Sequence, residues 1–117
     1  MELFIEGRNG LRYELKPLNR KEKIEMHDLT KNSEAMEGFD KIHLMFYKLL
    51  KFSYPNMSKE EFEDVLDYNA EMYGFEETYE MIGYLIEDVF TLTGGQVKSL
   101  NPYLMKKREQ KALQENN

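Results

Sequence analysis

The chain has 117 residues, a net charge of −6, 41% hydrophobic and 32% charged residues, and neither cysteine nor tryptophan. That length supports one core but not two, and the lack of cysteine excludes disulfides and thiolate metal sites, as suits a reducing cytoplasm. The opening Met1-Glu2-Leu3-Phe4-Ile5-Glu6 lacks the basic start and apolar run of a signal peptide, and no apolar stretch approaches the ~20 residues of a membrane span, so a soluble cytoplasmic protein is expected.

Residues 11–16, Leu-Arg-Tyr-Glu-Leu-Lys, alternate apolar and charged with period two, the pattern of a half-buried strand. Residues 2–6 supply its partner, giving a hairpin over 2–16. A two-residue turn at Asn9-Gly10 would set Leu3 and Ile5 against Lys16 and Glu14. A three-residue turn, Arg8-Asn9-Gly10 with Gly10 left-handed, instead pairs Ile5 with Tyr13 and Leu3 with Leu15. It also sets Glu6 against Arg12 and Glu2 against Lys16, so one face is apolar and the other salt-paired, and this register is preferred.

After Pro17 the period becomes helical. Asn19 with Glu22 forms a capping box for a helix over about 19–31, with Ile24, Met26 and Leu29 as a modest apolar stripe. A second helix is expected over 35–53, with Phe39, Ile42, Met45, Phe46, Leu49 and Leu50 at three- and four-residue spacings, ending at Tyr54-Pro55. Ser58-Lys59-Glu60-Glu61 opens a third over 59–69, whose inner face is Phe62, Val65 and Leu66. Beyond Gly74 a fourth covers 75–93, with a broad apolar arc from Phe75 through Tyr79, Ile82, Ile86 and Val89 to Phe90, before Gly94-Gly95. The fold class is therefore mainly α (α+β): an N-terminal hairpin and about four helices in a single domain over 1–95. Residues 96–117 are expected to be a mobile basic tail, disordered or helical only on binding.

Charge is segregated. From Lys59 to Lys98 no basic residue intervenes, and eleven of the 38 positions between them are carboxylates; residues 98–117 carry five Lys or Arg against two Glu. The plain reading is solvated helix faces, partly paired with Lys41, Lys48 and Lys51 at about 0–1 kcal/mol per pair. An ordinary exposed face mixes signs to gain i,i+4 pairs, and this one does not. Glu60, Asp64, Asp67 and Glu71 on the third helix, with Glu77, Glu80, Tyr84 and Glu87 on the fourth, are the candidate partner-binding residues. Lys106, Lys107, Arg108 and Lys111 of the tail are candidate counter-charges, in the same copy or a neighbour; tail-to-body docking between copies would build rings or open spirals.

Catalytic and metal chemistry find little support. No calcium-loop spacing occurs among the acids. Asp40-x-x-His43 resembles half of a di-iron site, yet His27 has no Glu three residues before it. His27 and His43 make no triad, and Gly94-Gly95 lacks the Lys-Ser/Thr of a phosphate loop. No enzyme activity and no cofactor are expected. The acidic body also argues against direct nucleic-acid binding.

The order of parts resembles a known family. A strand hairpin, a short helix, a long apolar helix ending in Tyr54-Pro55, then Ser58-Lys59-Glu60-Glu61-Phe62-Glu63-Asp64-Val65-Leu66-Asp67 and Ile82-Gly83-Tyr84-Leu85-Ile86-Glu87-Asp88-Val89-Phe90 before Gly94-Gly95 is similar to the tail assembly chaperones of long-tailed phages and prophages of Gram-positive bacteria. The resemblance covers residues 1–95 and rests on patterns of apolar and acidic residues. It implies a non-enzymatic, mostly helical protein that coats the tape-measure protein in the host cytoplasm until tail-tube subunits polymerise, and that is absent from the mature virion. Many members of that family also exist in a longer, frameshifted form whose extension is thought to recruit tail-tube subunits; by the resemblance this chain would be the short form, and an A-rich slippery run could encode its Lys106-Lys107. Two other readings stay open: an acidic DNA-mimic inhibitor of a nucleic-acid-binding enzyme, and a small bacterial adaptor domain.

Overall fold

The computed structural model describes residues 3–94. Strand β1 (Leu3–Glu6) pairs antiparallel with β2 (Arg12–Leu15), in the register Leu3 with Leu15, Ile5 with Tyr13 and Glu6 with Arg12 that the alternation selects. The turn is Arg8-Asn9-Gly10, closed by Gly7 N donating to Leu11 O at 2.8 Å. Asn9 and Gly10 both take positive φ, 61° and 75°, which asparagine and glycine tolerate best. Leu3, Ile5 and Leu15 are buried on one face. On the other, the Arg12 guanidinium lies 3.5 Å over the Phe4 ring. Lys16 pairs with Glu22 at 2.8 Å, while its expected partner Glu2 lies outside the described residues.

Helix α1 (Arg20–Asn32) begins on the reciprocal cap: Glu22 N donates to Asn19 Oδ1 at 2.8 Å and Asn19 N to Glu22 Oε1 at 3.0 Å. It ends at Ser33, whose buried hydroxyl donates to Leu29 O at 2.7 Å. Of its apolar residues Met26 is buried and Leu29 half-buried, whereas Ile24 is exposed. Residues two apart on a helix point to different faces, and α1 packs mainly on one neighbour, α2.

Helix α2 (Gly38–Ser53) starts three residues later than expected, because Ser33 closes α1 into a turn, Met36 N to Ser33 O, before Glu37 caps the new helix. Helix α3 (Lys59–Tyr73) starts at Ser58, whose Oγ accepts from Glu61 N at 3.1 Å. It runs past the expected end at 69 to Gly74, whose φ of 96° and ψ of 157° suit glycine alone and turn the chain into α4 (Phe75–Gly94). The expected tail over 96–117, with Lys106, Lys107, Arg108 and Lys111, lies outside the described residues.

One core joins all elements. Met26, Phe46, Leu50, Phe62 and Ile82 have no exposed surface, and the inner faces of α2, α3 and α4 meet the apolar face of the hairpin. Buried Asn69 fastens α3 to the hairpin: its Nδ2 donates to Glu6 O and Val65 O, each at 2.8 Å. At the other side Tyr54, ending α2, accepts from Glu14 N at 2.7 Å and meets Tyr13 edge-to-face at 5.4 Å.

Candidate functional site

Helices α2 and α4 pack at Phe46, Leu49, Ile82 and Val89 but part toward the surface, where small and half-buried side chains leave a groove of about 340 Å³. Ile42 and Met45 form the α2 wall; Tyr79, Gly83 and Ile86 form the α4 wall. Gly83 gives the groove its depth, for a Cβ built there meets no atom within 4 Å. The rim is Glu80, Tyr84 and Glu87, with the Tyr84 hydroxyl donating to Glu80 Oε1 at 3.2 Å.

The groove continues onto an aromatic cluster. Phe39 meets Phe75 at 5.2 Å and Tyr79 at 5.1 Å, and Phe75 meets Tyr79 at 4.9 Å. Phe39 and Phe75 nevertheless remain 49% and 55% exposed. Their stripes predicted burial, but both stand in the first turn of their helices, where about half of each ring stays exposed. Met72 and Tyr73 are also exposed at this end. An apolar strip edged by carboxylates, including Glu37 and Asp40, thus runs along α2 and α4.

Behind the strip a polar strut joins three helices. His43 of α2 reaches Tyr79 Oη with Nδ1 and Glu63 Oε1 with Nε2, both at 3.3 Å, and its ring stands edge-on to Phe62 at 5.0 Å. Burial pushes the Tyr79 phenol up, and Glu63, Asp40 and Asp67 add to the effect. Both His43 contacts are long for hydrogen bonds, which suits a packing role.

Seven of the eight candidate partner-binding residues gather in two places, and Glu77 lies in neither. Glu80, Tyr84 and Glu87 come together on the groove rim, while Glu77 is exposed in the first turn of α4. Glu60, Asp64 and Asp67 border a shallow cleft of about 390 Å³ on α3, with Lys59 and Glu63. Glu71 and Asp64 are engaged by Arg8 of the hairpin turn: Nη1 and Nη2 donate to the two Glu71 oxygens at 2.9 and 2.8 Å, and Nε to Asp64 at 2.8 Å. Those bonds raise the Arg8 guanidinium and hold Glu71 below its usual range. Lys48 instead approaches Glu25 at 4.0 Å, and Lys51 reaches Met57 O at 3.4 Å.

Sequence reasoning missed Arg8, the strut at His43 and the exposure of Phe39 and Phe75. Arg8 and Glu71 stand 63 positions apart, and no local pattern joins them. Among the described residues no group of three or more His, Asp or Glu is placed to hold a metal ion. No described helix is long and apolar enough to cross a membrane. Set against protein-family models, curated proteins and solved structures, the chain has no match.

Proposed function

We propose that this protein is a non-catalytic helix-binding chaperone that takes an amphipathic partner helix into the α2–α4 groove. The observation that carries the reading is the strip itself: an apolar floor of Ile42, Met45 and Ile86, deepened at Gly83, extended by exposed Phe39 and Phe75, and edged by Glu80 and Glu87. A helix laid there would bury its apolar face and set flanking Lys or Arg against the rim, the helix-in-groove mode of recognition. The rim charge would steer encounter and select basic partners more than it would add affinity.

The resemblance to phage tail assembly chaperones names the partner: the long helical tape-measure protein, held soluble in the host cytoplasm until tail-tube subunits enclose it. Reversible chaperoning requires many weak contacts, and a groove of this size supplies one such contact per copy. The test is co-expression with the long coiled-coil, tape-measure-type protein that this reading places in a neighbouring gene. The partner should stay in the soluble fraction and co-purify with the chaperone. Equal aggregation with and without this chain contradicts the proposal.

The DNA-mimic reading draws on the α3 cleft, where Glu60, Glu63, Asp64 and Asp67 gather. Its weakness is local: Asp64 and Glu71 are already bound to Arg8, which reduces the negative field on that face.

A further inference from the structure

We propose that Asn9-Gly10, at the tip of the hairpin, is a self-modification site where the Asn9 side-chain amide becomes a carboxylate at a pace set by the grip of Arg8 on α3. It is the only Asn-Gly step in the chain. The reaction needs water and no other reagent. The Gly10 backbone nitrogen attacks Asn9 Cγ, the new N–C bond closes a succinimide ring, and the Cγ–Nδ2 bond breaks, so that Nδ2 leaves as ammonia with the proton Gly10 gives up. Water then breaks the bond from the ring nitrogen to Cγ, giving aspartate, or to the Asn9 main-chain carbonyl carbon, giving isoaspartate with its backbone routed through Cβ. Glycine favours the attack because no side chain shields its amide. Here both residues are exposed, and a Cβ built at Gly10 meets no atom within 4 Å. The other asparagines lack these conditions: Asn19 and Asn69 are tied in hydrogen bonds, and Asn32 and Asn56 precede Ser33 and Met57.

Turn geometry supplies the control. Asn9 has φ 61° and ψ 29°, which sets the Gly10 nitrogen nearly opposite the Asn9 side chain about the Cα–C bond. Attack requires the two on the same side. The closed turn is therefore protected, and the reaction draws on the molecules in which it has opened. Opening is opposed by Gly7 N donating to Leu11 O at 2.8 Å, by Leu11 N donating to Arg8 O at 3.2 Å, and by the Arg8 fork on Glu71 and Asp64. Arg8 adjoins Asn9, so its hold on α3 restrains the reacting residue directly. The product acts back on that hold. A new carboxylate beside Arg8 competes with Glu71 and Asp64 for the same guanidinium, and isoaspartate lengthens the main chain by a methylene inside a turn that Gly7 and Leu11 close. Each converted molecule thus fastens its hairpin less firmly, and the change runs one way.

The experiment ages the full chain at neutral pH and body temperature and follows position 9 by peptide mass mapping, with isoaspartate read by enzymatic methyl labelling. Asn9 should convert before Asn19, Asn32 and Asn56. The urea-unfolded chain should convert fastest and the native protein slowest, with Arg8→Gln several-fold faster than native. Glu71→Gln, which weakens the clasp without touching the turn, should also exceed the native rate. After ageing, amide exchange at Gly7 and Leu11 should quicken while Phe62 stays protected. No product at position 9, earlier conversion at Asn19, Asn32 or Asn56, or a native rate equal to the unfolded one overturns the proposal. So do Arg8→Gln and Glu71→Gln at the native rate, and unchanged exchange at Gly7 and Leu11 in the converted protein overturns the feedback on the clasp.

Discussion

Arg8 of the hairpin turn grips Glu71 of α3 with both terminal nitrogens, at 2.8 and 2.9 Å, across 63 positions of sequence. Two residues earlier on the same helix, Asn69 donates to Glu6 O at the end of β1. The hairpin is thus fastened to α3 by an exposed ionic clasp and a buried amide.

The two fastenings differ in strength. The Arg8–Glu71 pair is solvent-exposed, and water and salt screen it. Asn69→Leu leaves a carbonyl and its own packing site unsatisfied at a buried position, a loss of about 1–3 kcal/mol. Urea unfolding should therefore rank Asn69→Leu well below Arg8→Gln in stability, with only the Arg8→Gln effect fading in high salt. The reverse ranking would show that the clasp, not the amide, holds the hairpin.

Stability should have an acid and an alkaline limb. Burial alone would push the Glu22 carboxyl up, but Lys16 and the Asn19 amide together hold it below its ordinary 4.5; Arg8 does the same for Glu71. The folded chain therefore binds these protons less tightly than the unfolded one. Their contribution is complete above about pH 4.5 and is lost as pH falls through the lowered folded values. Tyr13 and Tyr79 are raised above 10.0, chiefly by burial and then by neighbouring acids. Their contribution holds below pH 10 and is lost as pH rises through the raised values. Urea midpoints measured against pH should plateau between the limbs, with Glu22→Gln flattening the acid one and Tyr79→Phe the alkaline one.

Core and strip should separate cleanly. Phe62 has no exposed surface and touches Tyr47 at 4.7 Å and Phe46 at 6.1 Å, so Phe62→Ala should cost about 3–5 kcal/mol in thermal or urea unfolding. Phe39→Ala and Phe75→Ala remove half-exposed rings and should cost about 1 kcal/mol or less beyond their mutual stacking. In a co-purification assay those two variants should nonetheless lose partner capture. Full capture by the double variant would remove the aromatic cluster from the site.

Gly83 permits a sharper intervention. A Cβ there points into open space, and replacing a mid-helix glycine by leucine gains up to about 1 kcal/mol of helix propensity. Gly83→Leu should leave the melting temperature unchanged or higher while filling the groove and abolishing partner capture. A stable variant with unimpaired capture would place the contact elsewhere.

Local chemistry made much of this fold legible. The alternation over 11–16 selected the hairpin register, and the caps at Asn19 and Ser58 and the breaker Gly74 marked helix boundaries. Helical periodicity found the inner faces of α3 and α4 but could not say where coverage stops. Phe39 and Phe75 fit their stripes, and only the packing shows that they stay about half exposed among the described residues. The acidic residues were visible as a charge block. Their division into an Arg8-bound cleft and a groove rim depends on contacts 56 and 63 positions apart, which no spacing encodes.

Hydrogen–deuterium exchange on the full chain, with and without the proposed tape-measure partner, tests the docking claim most directly. The account predicts added protection over residues 39–45 and 75–87, with Glu60–Asp67 unchanged. Protection confined to Glu60–Asp67, with the α2–α4 groove unaltered, would contradict it.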